Sequence, residues 1–272
     1  MNIKNYFKIN YIEAILLVIS FITINFFNST LKKIFNIFHL SESVMFSISY
    51  SIPFIFLFSF IFYQSYRKKL SLNLFSIKIS SWYVYAVIFF VMFNTIILNE
   101  YLSSLVPKDG PILGNMYREI EFFLKEEIKN PMPFLSTTIL LAPICEEIFF
   151  RGIILNGMLR SKIHPLKAII FSSFLFGLTH MNPWQLVGGL FIGAFIGYTY
   201  FITSSILDCI LLHVFNNMVA TIGIFYTINH DILLNEKNPF FITMLVITVG
   251  IIFVISGSYF LFRLKTKKIK KT

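Results

Sequence analysis

Charge is what this sequence most lacks. Only 13% of its 272 residues are Asp, Glu, Lys or Arg, against roughly 25% in an ordinary soluble domain, and that scarcity excludes a globular surface of the usual kind. Cysteine is scarce as well. Cys145 and Cys209 stand in apolar surroundings with no nearby cysteine partner, so both are expected to be reduced packing residues rather than a disulfide or a metal pair. Acidic residues number 13 against 23 Lys and Arg, giving a net charge of +10. Such an excess points to nucleic acid only beside an aromatic-basic surface or a folded soluble domain, and neither is readable here, so no nucleic-acid partner is expected. The short alternating strands of a membrane barrel are missing too.

What is abundant is apolar: 56% of residues are hydrophobic, 34 are Phe, and the mean hydropathy is +0.75. These residues gather into blocks of the length a bilayer requires, roughly 17–25 residues at 1.5 Å rise each. Eight blocks are read, near Tyr11–Asn28, Val44–Tyr63, Ser81–Leu102, Met132–Met158, Pro165–Thr179, Leu186–Thr203, Ile206–Ile228 and Phe240–Phe262. A lipid-exposed backbone must satisfy its own hydrogen bonds, so the blocks are expected to be helices. The fold class is therefore all-α: one integral membrane domain over 1–272, a polytopic bundle of about eight transmembrane helices. Lys4 and Lys8 precede the first block as in a secretion signal, but no Ala-x-Ala-like site closes it, and it is expected to be a retained span.

Basic residues orient the bundle. With the N-terminus in the cytosol, that side receives Lys4, Lys8, Arg67, Lys68, Lys69, Lys78, Arg160, Lys162, Lys167, Arg263, Lys265, Lys267, Lys268, Lys270 and Lys271, while Glu42, Glu100, Asp109, Glu119, Glu121, Glu126, Glu127, Asp231 and Glu236 collect outside. The Lys/Arg bias places both termini in the cytosol, and beside span ends the cations meet membrane lipids. Between the third and fourth blocks, Glu119–Ile128 mixes apolar and charged positions in the manner of an interfacial helix, with an ordinary surface connection as the plain alternative.

The informative residues are those that are costly in lipid. Glu146, Glu147 and Arg151 share one apolar block, His180 closes the next, and Asp208, His213, Asn216 and Asn217 lie in the seventh. Ionisable groups inside a membrane face a protein interior or a water cavity and often mark function. Glu147 and Arg151 are four apart and can meet on one helix face, whereas Glu146 is turned about 100° away. This spacing assigns an ion pair to Glu147 and Arg151 and a polar cavity to Glu146, with the reverse division left open. His213 and Asn217 repeat the four-residue spacing. Counted from the cytosolic ends of their blocks at 1.5 Å per residue, Glu146, His180 and His213 lie at depths of about 18, 22 and 11 Å, so they can converge on one cavity. Gly189, Gly193 and Gly197 make a small-residue face expected to serve close helix packing, and Pro143 is expected to disturb the helix just before Glu146.

In this order the polar residues form three signatures: Glu146-Glu147-Ile148-Phe149-Phe150-Arg151, Phe176-Gly177-Leu178-Thr179-His180 and His213-Val214-Phe215-Asn216-Asn217. Together they resemble the CPBP intramembrane protease family, the Abi-type CAAX protease and bacteriocin-processing family, mainly over residues 133–226. The resemblance implies an intramembrane endopeptidase that cleaves a membrane-associated peptide or protein. In that reading Glu146 and His180 activate water, His213 and Asn217 hold the tetrahedral oxyanion, and Glu147 and Arg151 support the site. A carboxylate with an imidazole can share proton transfer, and an amide with a second imidazole can donate hydrogen bonds. No cofactor is favoured. Zinc is the alternative, because two His and a Glu suit it, although the order is not the His-Glu-x-x-His motif. The Ile-, Phe-, Asn- and Lys-rich composition is expected of a bacterial plasma-membrane protein. A noncatalytic bacteriocin-immunity or scaffold protein is the second reading. A transporter is disfavoured by the lack of paired broken helices in repeated halves.

Overall fold

A computed structural model describes residues 6–35, 42–71, 76–129, 131–229 and 240–269. Lys4, Asp231, Glu236, Lys270 and Lys271, all used above in the charge count, lie outside them. The helices are α1 (Tyr11–Phe35), α2 (Glu42–Arg67), α3 (Trp82–Ser104), α4 (Leu113–Lys129), α5 (Pro131–Leu135), α6 (Ala142–Glu147), α7 (Asn156–Arg160), α8 (Pro165–Leu178), α9 (Pro183–Thr203), α10 (Ile206–Asn229) and α11 (Phe240–Ile269). Two π-helical stretches, Ser136–Leu141 and Ile148–Leu155, join α5 to α6 and α6 to α7. Residues 131–160 are thus one compound helix with two wide turns, one on each side of the Glu146-Glu147 pair. Isolated π turns inside helices often mark functional sites, because the extra residue opens the backbone ladder.

The chain is an all-α, polytopic membrane bundle. Among the described residues, five helical segments are long and apolar enough to cross a bilayer: Ser47–Arg67, Trp82–Ser104, Pro183–Thr203, Ile206–Tyr226 and Phe241–Thr266. The other three expected spans take different forms. Tyr11–Phe27 and Pro165–Leu178 are shorter apolar helices, and the block from Met132 is divided by the π turns. Large apolar side chains face outward all round the bundle, among them Phe26, Phe56, Trp82 and Phe241, the last 84% exposed. In water such a surface would drive association, whereas lipid is its matching solvent.

The core lies where α8, α9, α10 and the compound helix meet, with Phe149, Phe150, Ile153, Ile154, Ile196 and Leu212 buried. α8 and α9 cross in direct backbone contact, because a Cβ on Gly189 would stand 2.3 Å from the Gly177 Cα. Close approach through small residues is how helices associate without a hydrophobic driving force. α1 and α2 brace the other side of the compound helix: the Phe149 ring stacks on Phe21 at 5.8 Å and meets the Phe54 ring edge-on at 6.2 Å. At one end of the bundle the N-terminal segment is pinned by the Ile9 N–H donating to Gly157 O at 3.2 Å. The segment expected to be interfacial is α4, whose exposed side carries the ion pairs Lys125–Glu121 (2.7 Å) and Lys129–Glu126 (2.6 Å).

Candidate active site

Pro143 explains the local geometry on which the site is built. In the preceding π stretch the Ala142 N–H donates to Thr137 O, five residues back. The next residue, Pro143, has no N–H to offer Thr138 O. That carbonyl accepts instead from the Asn217 Nδ2 of α10, at 2.8 Å. The Asn216 Nδ2 in turn donates to Asn217 Oδ1 at 3.0 Å. The Asn217 amide is held at both ends, and its second N–H has no acceptor among the described residues.

Glu147 and Arg151 are fully buried and paired, Arg151 Nη1 donating to Glu147 Oε1 at 2.7 Å. The guanidinium also donates from Nη2 to Gly193 O at 2.9 Å and lies 5.0 Å from the centroid of the Phe176 ring. Space at that crossing is tight, because a Cβ on Gly193 would stand 3.2 Å from Arg151 Nη2 and 3.1 Å from the Phe176 ring, so both would have to give slightly. Small-residue packing and site support therefore coincide at this position.

His213 joins the two acids. Its Nδ1 lies 2.7 Å from Glu147 Oε1, and its Nε2 lies 3.7 Å from Glu146 Oε2. Paired with Arg151, Glu147 is an acceptor, so Nδ1 carries the proton. A neutral ring then presents the Nε2 lone pair to Glu146, and only the doubly protonated ring donates from Nε2. With that second proton, Arg151, Glu147, His213 and Glu146 form a row of alternating charge.

Glu146 is only partly buried, with 15% of its side chain accessible. Its Oε1 accepts from the Tyr50 hydroxyl at 2.5 Å. Tyr50 stands on α2, ninety-six residues away in sequence, and no spacing rule connects the two. It is the site residue the sequence reading missed; a lone tyrosine in an aromatic-rich span gives no signal.

His180 also packs against Phe176. Its ring meets Phe176 edge-on at 5.1 Å, and His213 meets the same ring at 5.7 Å. The His180 Nδ1 is 3.1 Å from Phe176 O. A carbonyl only accepts, so here too Nδ1 carries the proton and Nε2 is the open nitrogen. His180 makes no hydrogen bond with Glu146 among the described residues; the imidazole beside Glu146 is His213. After His180 the chain turns through Met181 at φ +56° into α9, where Asn182 Oδ1 caps the Gln185 N–H at 2.9 Å.

Asp208 belongs elsewhere. It sits in the first turn of α10, where its N–H donates to Ser205 Oγ at 3.3 Å and its Oδ2 accepts from Ser80 Oγ at 2.6 Å. It fastens the segment before α3 to a helix start. Cys145 and Cys209 are both free thiols. Among the described residues no three His, Cys, Asp or Glu side chains are grouped so that they could hold a metal ion.

No curated protein and no solved structure matches the chain. Residues 128–219 match the family model described as Type II CAAX prenyl endopeptidase Rce1-like, and this stretch contains all three polar signatures. Residues 128–219, about a third of the chain, are thus similar to the Rce1-like CAAX-protease family, and within them His213 is bonded to the buried Glu147 with Glu146 alongside.

Proposed function

We propose that the protein hydrolyses a peptide bond in a membrane-associated peptide or protein, with Glu146 as the general base. The observation that carries this reading is the Glu146 carboxylate, partly accessible, hydrogen-bonded to Tyr50 and 3.7 Å from His213 Nε2. A separation of that size suits a bridging water better than a direct bond. The water oxygen attacks the substrate carbonyl carbon while Glu146 takes its proton. Oxyanion charge is met by the second N–H of Asn217 and, when doubly protonated, by His213 Nε2. Collapse of the tetrahedral intermediate breaks the C–N bond, and the departing amine takes the proton from Glu146. His180, whose Nε2 is open, assists by accepting and returning a proton. No step is routed through a metal. The matched family's name supports a lipid-modified C-terminal peptide as the first substrate to test.

Glu146→Gln keeps the side-chain shape and removes the base. Turnover of a membrane-anchored peptide by the purified chain should fall on the order of 10²–10⁴-fold with substrate binding retained. A folded, substrate-binding variant that cleaves at the wild-type rate would refute the assignment. Retention of biological immunity by an uncleaving variant would favour the immunity-protein reading.

The same reading includes eight crossings, both termini in the cytosol and a bacterial plasma membrane. It is supported by the basic side chains Lys8, Lys69, Lys78, Arg160, Lys162 and Lys265, which stand at the bundle end where α7, α9 and α2 finish. Labelling of cysteines introduced at each terminus should occur only from the cytosolic side; external labelling of either one rejects this topology.

A further inference from the structure

At that basic end the structure holds a second site, separate from the Glu146 centre. A cavity of about 730 Å³ opens between the α7–α8 turn, the α9–α10 turn and the end of α11. Three cations line it, Arg160, Lys162 and Lys265, together with His164, and no Asp or Glu is among its lining residues. The cations come from separate elements and two of them are fixed in place. The Arg160 guanidinium lies 4.7 Å from the Tyr6 ring centroid. Lys265 donates to Phe201 O, and its Nζ is 3.2 Å from the Phe201 ring centroid. Lys162 occupies a left-handed turn position at φ +61°, and Ser204 in the facing turn does the same at φ +54°.

Backbone donors add to this charge. α8 begins at the cavity with Pro165, its cap His164 makes no side-chain capping bond, and the first-turn N–H groups of a fourteen-residue helix carry partial positive charge. The floor, by contrast, is apolar: Leu159, Ile163 and Tyr200. A cationic rim over an apolar floor, at the end of a membrane bundle, fits an amphiphile with an anionic head.

We propose that this cavity binds a phosphate-bearing anion, namely the headgroup of an anionic phospholipid at the membrane surface. The rim cations and the α8 N-terminus meet the phosphate oxygens, and the glycerol and first acyl carbons lie over the apolar floor. A free phosphate shares the head chemistry but fills little of the cavity and makes no use of the floor.

The test uses the full chain in nanodiscs of mixed phosphatidylglycerol and phosphatidylcholine, with native mass spectrometry reading the lipids retained on release. Wild type should retain phosphatidylglycerol selectively. Arg160→Gln and Lys162→Asn should each weaken that retention roughly five-fold, as loss of one cation near an anionic headgroup implies; Asn tolerates the left-handed position. Lys129→Gln, on exposed α4, should change nothing. Melting in detergent separates the two phosphate sources: short-chain phosphatidylglycerol should raise the wild-type melting temperature and not that of Lys162→Asn, whereas inorganic phosphate should raise neither. Stabilisation by inorganic phosphate alone would overturn the lipid assignment. Equal retention of both lipids, or unchanged selectivity in both rim variants, would overturn the site.

Discussion

Replacing Arg151 by Ala tests whether the charged row is held together from its buried end. The guanidinium is 1% exposed and serves Glu147 Oε1, Gly193 O and the Phe176 face at once. Without it, Glu147 keeps only the His213 bond on Oε1. Its Oε2 has no hydrogen-bond partner among the described residues even in the intact protein, so the carboxylate would be left largely uncompensated. Breaking one side of a buried pair typically costs about 3–5 kcal/mol. The charge-assisted bond to Gly193 O, about 1.5–3 kcal/mol by itself, is part of that loss and is not added to it. A loss of ~3–5 kcal/mol should appear as a clear fall in melting temperature and in folded yield after detergent extraction. The double variant Arg151→Met with Glu147→Gln removes both charges, leaves a neutral acceptor for His213 Nδ1, and should regain at least half of the lost stability. Arg151→Ala with wild-type melting and only a chemical defect would refute the supporting role, as would a double variant no better than the single one.

Tyr50→Phe removes a donor to a carboxylate, an interaction worth about 1.5–3 kcal/mol; cleavage should slow by about ten-fold or more with melting little changed, and an unaltered rate would show that Tyr50 does not position Glu146. Gly189→Ala places a methyl against the Gly177 backbone, where no side chain can rotate away, and should cost ~1–3 kcal/mol by overpacking, read as a lower melting temperature; wild-type stability would disprove the close α8–α9 crossing. Rigorous chelation followed by elemental analysis should leave active, zinc-free enzyme; loss of activity with selective recovery by Zn²⁺ at matched folding would overturn the metal-free mechanism.

Contacts of short range were legible in the sequence. A spacing of four residues on a helix lets two side chains meet on one face, so the sequence favoured the Glu147–Arg151 pair that the structure shows, although the reverse division of the two glutamates stayed open until then. The all-α membrane class also followed, because the cost of unpaired backbone in lipid leaves a long apolar block few conformations. Pro143 announced a disturbed helix for a similarly local reason, its missing N–H. What replaced that N–H was not legible: a side chain 79 residues away reaches the carbonyl of Thr138.

Only tertiary packing decided which imidazole stands beside Glu146. His180 and His213 carry equivalent signals in sequence, and their depths along the helices allow either to approach the acid. The α8–α9 crossing through Gly177 and Gly189, and the packing of α10 on α6, put His213 beside both glutamates, while His180 packs on the Phe176 ring and bonds to its carbonyl. Tyr50 is the extreme case, since its role depends on α2 docking against the compound helix and on no pattern within α2 itself. Sequence thus indicated the all-α membrane class, favoured the buried pair and named most of the polar groups, all properties of a few neighbouring residues. The partners of those groups were settled by helix rotation and crossing, which depend on side-chain packing summed over the whole bundle.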